Sequence, residues 1–423
     1  MLRAVFGSIV FVCLAVTPFL TEGRAESTTP DEASLLGLDF KGALAAAKQA
    51  EEEGKLARAE YLYRKLNFAK PRHSKSRKGL RNVTRARAKQ LIDRAEKNIS
   101  EDPYFATIDL QMAYGLDPKE PRLEALFTKL GHELYQGEWL TKSRVEQLAE
   151  LTAHQGAGRR SQLGLAEDFT VIIQGPFKFL TNVDTRGAKS VLQQALHTNH
   201  SHYKKYREVM GPLRLRHASE GVDVVLFDNR EQYVRYTKHS GSAGLYVPAR
   251  AAGFFFRDGS FNFPTMLHEM THQLNDKLLN INSHAWFEEG ISEYFGAGFV
   301  TQGGKRIEVG RPDGGRMASF QKAVKGISGY YIALDRFCRM GQAELTDEFY
   351  SQSWALTHFL MEVHPKGRLI LFDYMAGRSP VGQIVDRQGE DLLQILEAYG
   401  ISLETFEAEL KDFYKTGKYS PRT

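Results

Sequence analysis

Apolar residues recur with a helical period from Leu35 to about Leu151, and that stretch is nearly free of strand signals. Beyond it the period shortens. Phe169–Ile173 and Phe177–Leu180 predict strands, a helix follows from about Thr185 to Met210, and the apolar run Val222–Phe227 predicts a further strand. Arg230 to Lys238 reads as a helix, while Gly244–Val247 and Ala252–Phe256 read as a hairpin or as paired edge strands. From Phe263 onward the pattern is helical, with Pro264 suited to a first turn, Trp286–Phe299 forming a second amphipathic helix and Trp354–Met361 a third. Strands interspersed with helices, then a wholly helical remainder, predict an α+β fold: a small mixed sheet with a helical C-terminal lobe, preceded by an N-terminal helical region.

The first residues read as a targeting segment. Arg3 gives a positive start, Ala4 to Leu20 is largely apolar, and Gly23-Arg24-Ala25 supplies the small residues of a cleavage site. Cleavage after Ala25 predicts a secreted or periplasmic protein with no stable membrane span; the alternative is an uncleaved N-terminal anchor. The expected organisation is residues 1–25 as signal peptide, 26–36 as linker, 37–151 as helical region and 165–415 as a second domain. Gly156–Ser161 stands as the interdomain linker. Within the helical region Gly54, Ala59, Tyr63, Leu66 and Pro71, then Ala106, Leu110, Ala113 and Pro118, resemble the second helix of tetratricopeptide repeats. The two prolines stand farther apart than the usual ~34-residue period. A helical bundle without repeats is the alternative, and a protein partner there is an expectation of the repeat resemblance.

Composition narrows the class. The 423 residues are 42% hydrophobic and 25% charged, which is globular, and a formal charge of +5 does not by itself indicate a polyanion partner. Lys70 to Lys97 holds eleven Lys/Arg against Asp93 and Glu96, yet no aromatic residues interleave for base stacking. A solvated helix face is expected, and no nucleic acid. Cys13 would leave with the signal, so the product has no internal disulfide, and Cys338 reads as a small buried hydrophobe. His197, His200 and His202 have no accompanying carboxylate and read as surface helix residues.

The chemistry is concentrated in His268-Glu269-Met270-Thr271-His272. Residues four apart share a helix face, so both imidazoles can address one ion, and Glu269 can reach a water beside it without being a ligand. A carboxylate from the next helix would complete three ligands and leave one open position, the arrangement of catalytic zinc. Glu289 and Glu293 share a face of that helix, whereas Glu288 lies about 100° round it. Asp276, one turn beyond His272, is an alternative ligand. Only sixteen residues separate His272 from Glu289, which demands a tight connection.

His268-Glu269-x-x-His272 followed by Trp286-Phe287-x-Glu289-Gly290-x-x-Glu293-Tyr294-Phe295 resembles the gluzincin clan of thermolysin-like and aminopeptidase-like zinc metallopeptidases. It is similar to secreted bacterial families of unknown function that often carry tetratricopeptide repeats. The resemblance covers about Asp168 to Tyr414. It implies a zincin-type domain, a Zn2+ ion, a peptide or protein substrate, Glu289 as third ligand, Glu293 as the acid that orients a ligand histidine, and Glu269 as general base. Tyr350-Ser351-Gln352-Ser353 resembles the tyrosine segment of the aminopeptidase-like branch, where a phenol donates to the oxyanion, although Gln352-Ser353 replaces the usual Lys-Gly. Tyr350 is either that donor or a packing residue, and Tyr330 and Tyr331 are weaker candidates. Ala252–Phe256 holds the position of the clan's cleft-edge strand, a core strand being the alternative. No motif for gripping a free amine is present, so an endopeptidase is expected over an aminopeptidase. The other expectations are an amidase acting on cell-wall peptides and a non-catalytic protein-binding module with a structural or vestigial metal site.

Overall fold

Alternate side chains of a strand point to opposite faces, and the central sheet is built on that rule. In the computed structural model, which describes residues 37–135, 138–146, 158–184, 188–213, 215, 221–279, 283–376 and 391–418, six strands form this sheet. They are β3 (Thr170–Gln174), β4 (Phe177–Thr181), β5 (Val222–Phe227), β6 (Gly244–Val247), β7 (Ala252–Asp258) and the short β8 (Ser260–Phe261). Their order is β3-β4-β5-β7-β6, with β8 paired to the end of β7. β4, β5 and β7 run parallel, and β3 and β6 close the two edges antiparallel. Phe177, Phe179, Val224 and Leu226 enter the main core, while Leu180, Val225, Phe254 and Phe256 enter a second core. Every residue of β5 is buried, which is why its sequence is apolar throughout except Asp223.

The fold is therefore α+β, as its pattern predicts, but one strand assignment changes. β7, the candidate cleft edge, is an internal strand; the edge beside the helix that follows is β6. The triplet Phe254-Phe255-Phe256 is buried on both faces, which only an interior strand allows.

Helices cover both faces. Helix α6 (Lys189–Met210) and the segment from Phe263 onward lie against the main core, and α7 (Arg230–Thr237) covers the other face through Tyr233. Residues 158–161 of the expected linker are helical, together with 162, and docked rather than free: Arg159 pairs with buried Asp223 at 2.5 Å and donates to the Arg250 carbonyl at 2.7 Å. Gly156 and Ala157 lie outside the described residues, as do the expected signal segment and linker (1–36). Among the described residues no helix is long and apolar enough to cross a membrane.

The N-terminal region includes the helices α1 (Phe40–Glu52), α2 (Leu56–Ala69), α3 (Ser74–Asn98), α4 (Pro103–Leu116) and α5 (Arg122–Lys129). Ala59, Ala106 and Ala113 are completely buried, so the small residues do mark close helix packing. The region is not purely helical, however. β1 (His132–Tyr135) and β2 (Glu138–Thr141) form an antiparallel hairpin, held by the Trp139 ring stacked on Phe127 at 4.7 Å. The end of α3, α4, α5 and this hairpin have their own small core. By contrast α1, α2 and the start of α3 share the main core with the sheet and the C-terminal helices.

Two buried histidines give the fold an acid sensitivity. His202 on α6 is buried, not surface-exposed as its helix position suggests; its Nε2 lies 3.0 Å from the Thr271 hydroxyl. Burial pushes its pKa down to about 3, and burial likewise holds His364 at about 4. Both stay neutral in the fold while an unfolded imidazole takes a proton near pH 6.5. Stability is thus full above that pH and falls below it, by about 2 kcal/mol at pH 5 from His202 alone. Urea midpoints measured from pH 8 to 5 should decline, with a shallower slope in His202→Gln. Identical slopes in the two proteins would refute the assignment.

Candidate metal centre

Helix α8 (Phe263–Leu274) starts where Asn262 accepts from the Thr265 N–H at 3.1 Å, with Pro264 in the first turn. Met266, Leu267, Met270 and Leu274 are fully buried and fix the helix in the core. Gln273 pins it to the sheet by donating to the Asp223 and Ala251 carbonyls at 3.0 and 3.2 Å. The remaining face carries His268 and His272, whose Nε2 atoms lie 3.1 Å apart.

The short connection is made by widening the helix end into a single π-turn, Asn275–Leu279, from which the chain reverses into α9 (Ala285–Gly296). Helix α9 lies against α8 and against α11 (Asp347–His358), with α10 (Gly314–Val324) completing this layer. Gly290 makes the α9–α11 approach possible: a Cβ there would stand 2.2 Å from the Thr357 hydroxyl and 2.6 Å from the Ser353 carbonyl oxygen. Its neighbour Glu289 is thereby set against α8.

Glu289 Oε2 lies 3.4 Å from both histidine Nε2 atoms, is buried, and has no hydrogen-bond partner. A triangle of 3.1, 3.4 and 3.4 Å matches the edges of a tetrahedron around an ion bonded at about 2.0–2.1 Å, the zinc–nitrogen and zinc–oxygen range. The donors, two imidazoles and a carboxylate, are those of catalytic zinc sites. The fit is therefore good on distance, donor chemistry and the orphaned buried oxygen. Burial works against charge on His272, but Glu288 and Glu289 outweigh it and raise its pKa to about 10. Burial alone would raise Glu289, and the two histidines instead hold it at about 2.

Each histidine has a carboxylate behind it. Glu293 Oε1 is 3.6 Å from His268 Nδ1, the position expected for the orienting acid. Glu288, a rival ligand by sequence, is not in the triangle; its Oε2 stands 3.9 Å from His272 Nδ1. Asn275 donates to it at 2.8 Å, and the Ser283 hydroxyl bonds its other oxygen. Arg316 of α10 grips Glu293 with both arms, at 3.0 and 2.6 Å, and lies 5.4 Å from the centre of the Tyr350 ring. Carboxylates behind ligand imidazoles fix the tautomer and ring orientation, and losing one typically weakens metal binding 10–100-fold. If the triangle holds zinc, Glu288→Gln and Glu293→Gln should each weaken its binding within that range, as read by competition with a chelating dye. Unchanged affinity in both would leave the two acids without a role at the metal.

Glu269 sits outside the triangle, its Oε2 accepting from the Tyr246 N–H of edge strand β6 at 2.8 Å. Asp276, the alternative ligand, is engaged by the Tyr246 hydroxyl and does not join the histidines. Tyr350 is half-buried, and burial together with the Glu289, Glu269 and Glu293 carboxylates pushes its phenol up to about 12. It therefore belongs to this electrostatic neighbourhood. The weaker candidates do not: the Tyr330 hydroxyl lies 3.4 Å from Thr346, and Tyr331 feels Glu407 with Lys411 over its ring. Gln352, where the resemblance leads one to expect part of a Lys-Gly pair, clamps both backbone groups of Ile332, at 3.0 and 2.6 Å. Cys338 is buried and its thiol is pushed up to about 12, in keeping with a packing role.

The sequence pattern points to the three residues of the triangle and to Glu293, whereas the place of Glu288 behind His272 and the grip of Arg316 on Glu293 emerge only in the structure. Glu288 had a legible signal, its offset from Glu289 round the helix; Arg316 had none. Residues 262–382, from the residue that caps α8 onward, match the family described as "Protein of unknown function (DUF1570)". A search of curated proteins found no match to the chain.

Proposed function

We propose that the chain is an exported zinc peptidase, with His268, His272 and Glu289 as metal ligands and Glu269 as general base. One observation carries the reading: two imidazoles and a carboxylate converge at tetrahedral spacing while a further carboxylate stands beside them without joining. A purely structural site has no use for that fourth group. Bound zinc supplies a Lewis acid and brings the pKa of water toward neutrality.

The rest is done by side chains. Glu269 takes a proton from the attacking water and returns it to the leaving amine, held in place by the Tyr246 N–H. Glu288 and Glu293 keep the two imidazoles presenting Nε2 to the ion. The Tyr350 phenol, protonated at neutral pH, is the donor for the developing oxyanion. Strand β6 pairs only with β7 among the described residues, so an extended peptide could pair with the part of its outer backbone edge that Glu269 does not engage. That edge favours an internal stretch of polypeptide as substrate.

The test combines metal analysis with digestion of an unbiased peptide library. Purified protein should contain about one zinc per chain, lose digestion on chelation and regain it when zinc is restored. Digestion that survives complete metal removal would overturn the metal-dependent reading. Metal-loaded protein that cleaves no library member would overturn the peptidase reading.

A further inference from the structure

On the reverse of α9 from the metal centre, Tyr294 forms the floor of an open cavity of about 1050 Å³. Its walls are the turn between α2 and α3, the outer face of α6, and the hairpin of β9 (Phe299–Thr301) and β10 (Arg306–Glu308). Seven Lys/Arg and three Glu line it. Each of the three carboxylates is already paired: Glu208 with Lys205 at 2.6 Å, Glu308 with Arg306 at 2.9 Å, and Glu362 with Arg368 at 2.8 Å. Lys70, Arg72, Lys204 and Lys305 are left with no ion pair among the described residues, and Lys70 lies over the Phe40 ring at 4.3 Å.

Four uncompensated cations facing one concave space repel each other and concentrate a positive field there. A surface only needing solubility would disperse them. Lysines in the majority act as point charges suited to phosphate oxygens. Two aromatic rings line it: Tyr294 is tied by its hydroxyl to Glu362 at 2.6 Å, and His73 accepts from the Ser76 N–H at 3.2 Å and packs edge-on against Phe40 at 5.0 Å, so neither ring is free for a nucleobase. The space far exceeds a single phosphate and falls at the upper end of small-molecule sites.

We infer that this cavity binds a compact oligophosphate, inorganic or carried on a small organic molecule, through Lys70, Arg72, Lys204 and Lys305. The site is independent of the peptidase reading, since no ligand or general base contributes to it. It joins charges remote in sequence, two of them from the basic stretch that begins at Lys70.

The experiment uses the full chain, stripped of metal so that phosphate cannot report on a bound ion, and titrates it calorimetrically with sodium tripolyphosphate, inorganic phosphate and hexaglutamate. Tripolyphosphate should bind and raise the melting temperature, with inorganic phosphate weaker by about tenfold or more as fewer cations are engaged. Lys204→Glu/Lys305→Glu, both exposed, should weaken tripolyphosphate at least about tenfold and abolish the melting shift. Lys78→Glu/Arg81→Glu, the same charge change on exposed positions of α3 outside the cavity, should leave both unchanged. Circular dichroism confirms folding of each variant. Equal losses in the two double variants, or no tripolyphosphate binding to the wild type, would overturn the site. Tighter binding of hexaglutamate would overturn the phosphate assignment and make the occupant an acidic peptide.

Discussion

Glu269→Gln is expected to keep its full metal content and to hydrolyse peptides about 10²–10⁴-fold more slowly. The reason lies in where Glu269 stands. It is held by the Tyr246 N–H at 2.8 Å and contributes nothing to the His268–His272–Glu289 triangle. A glutamine side chain has the same length and its amide oxygen accepts from the same N–H, so neither the fold nor the ligand set should move. What disappears is the capacity to take up and return a proton. The loss should therefore fall on kcat, with KM little altered. Glu289→Ala should behave oppositely, losing the ion and with it all activity. Inductively coupled plasma analysis beside kinetics on one cleaved library peptide separates the two variants. Wild-type turnover in Glu269→Gln would remove this residue from the mechanism.

The largest effect on stability is expected at Asp373, which lies fully buried on α12 (Gly367–Ala376). It accepts from the Lys65 ammonium at 2.7 Å, from the Tyr61 hydroxyl at 2.7 Å and from the Tyr399 hydroxyl at 2.8 Å. Lys65 is equally buried, so burial lowers its pKa and raises that of Asp373, both toward the neutral forms. Removing one member leaves the other charged and enclosed. Asp373→Ala should cost about 3–5 kcal/mol in urea unfolding. Lys65→Met together with Asp373→Leu, which removes both charges and keeps volume, should recover much of that loss. A single variant as stable as the double would show that the ion pair is not under electrostatic strain.

Much of the candidate site was legible because it is local. The spacing of His268 and His272 is a property of one helix, and that of Glu289 and Glu293 a property of another. Strand β5 announced its interior place by its unbroken apolar run. What sequence could not convey was order in space. The triplet Phe254–Phe256 carries the same apolar signal for β7, but that β6 lies outside it is set by the crossovers and by no local pattern. The β1–β2 hairpin has four-residue strands of mixed polarity and depends for its support on a ring of the preceding helix, Phe127. Arg316 reaches Glu293 only because α10 packs on α11, the helix that α9 also packs on, and the partnership of Glu288 with His272 requires the π-turn that brings Asn275 within reach. The basic stretch from Lys70 is mostly a solvated face, as its composition suggests. Its first two cations acquire company only through α6 and the β9–β10 hairpin.

The Lys65–Asp373 pair also bears on how the molecule can be divided. Tyr61 and Phe68 of α2 rest on the Phe372 ring of α12, beside the same enclosed carboxylate. A fragment trimmed to begin near residue 158 would keep every candidate ligand yet strip the lid from Asp373 and lay bare an apolar helix. The first two helices are thus structural parts of the body that carries the histidines, and expression boundaries should be drawn before Phe40, not after the hairpin.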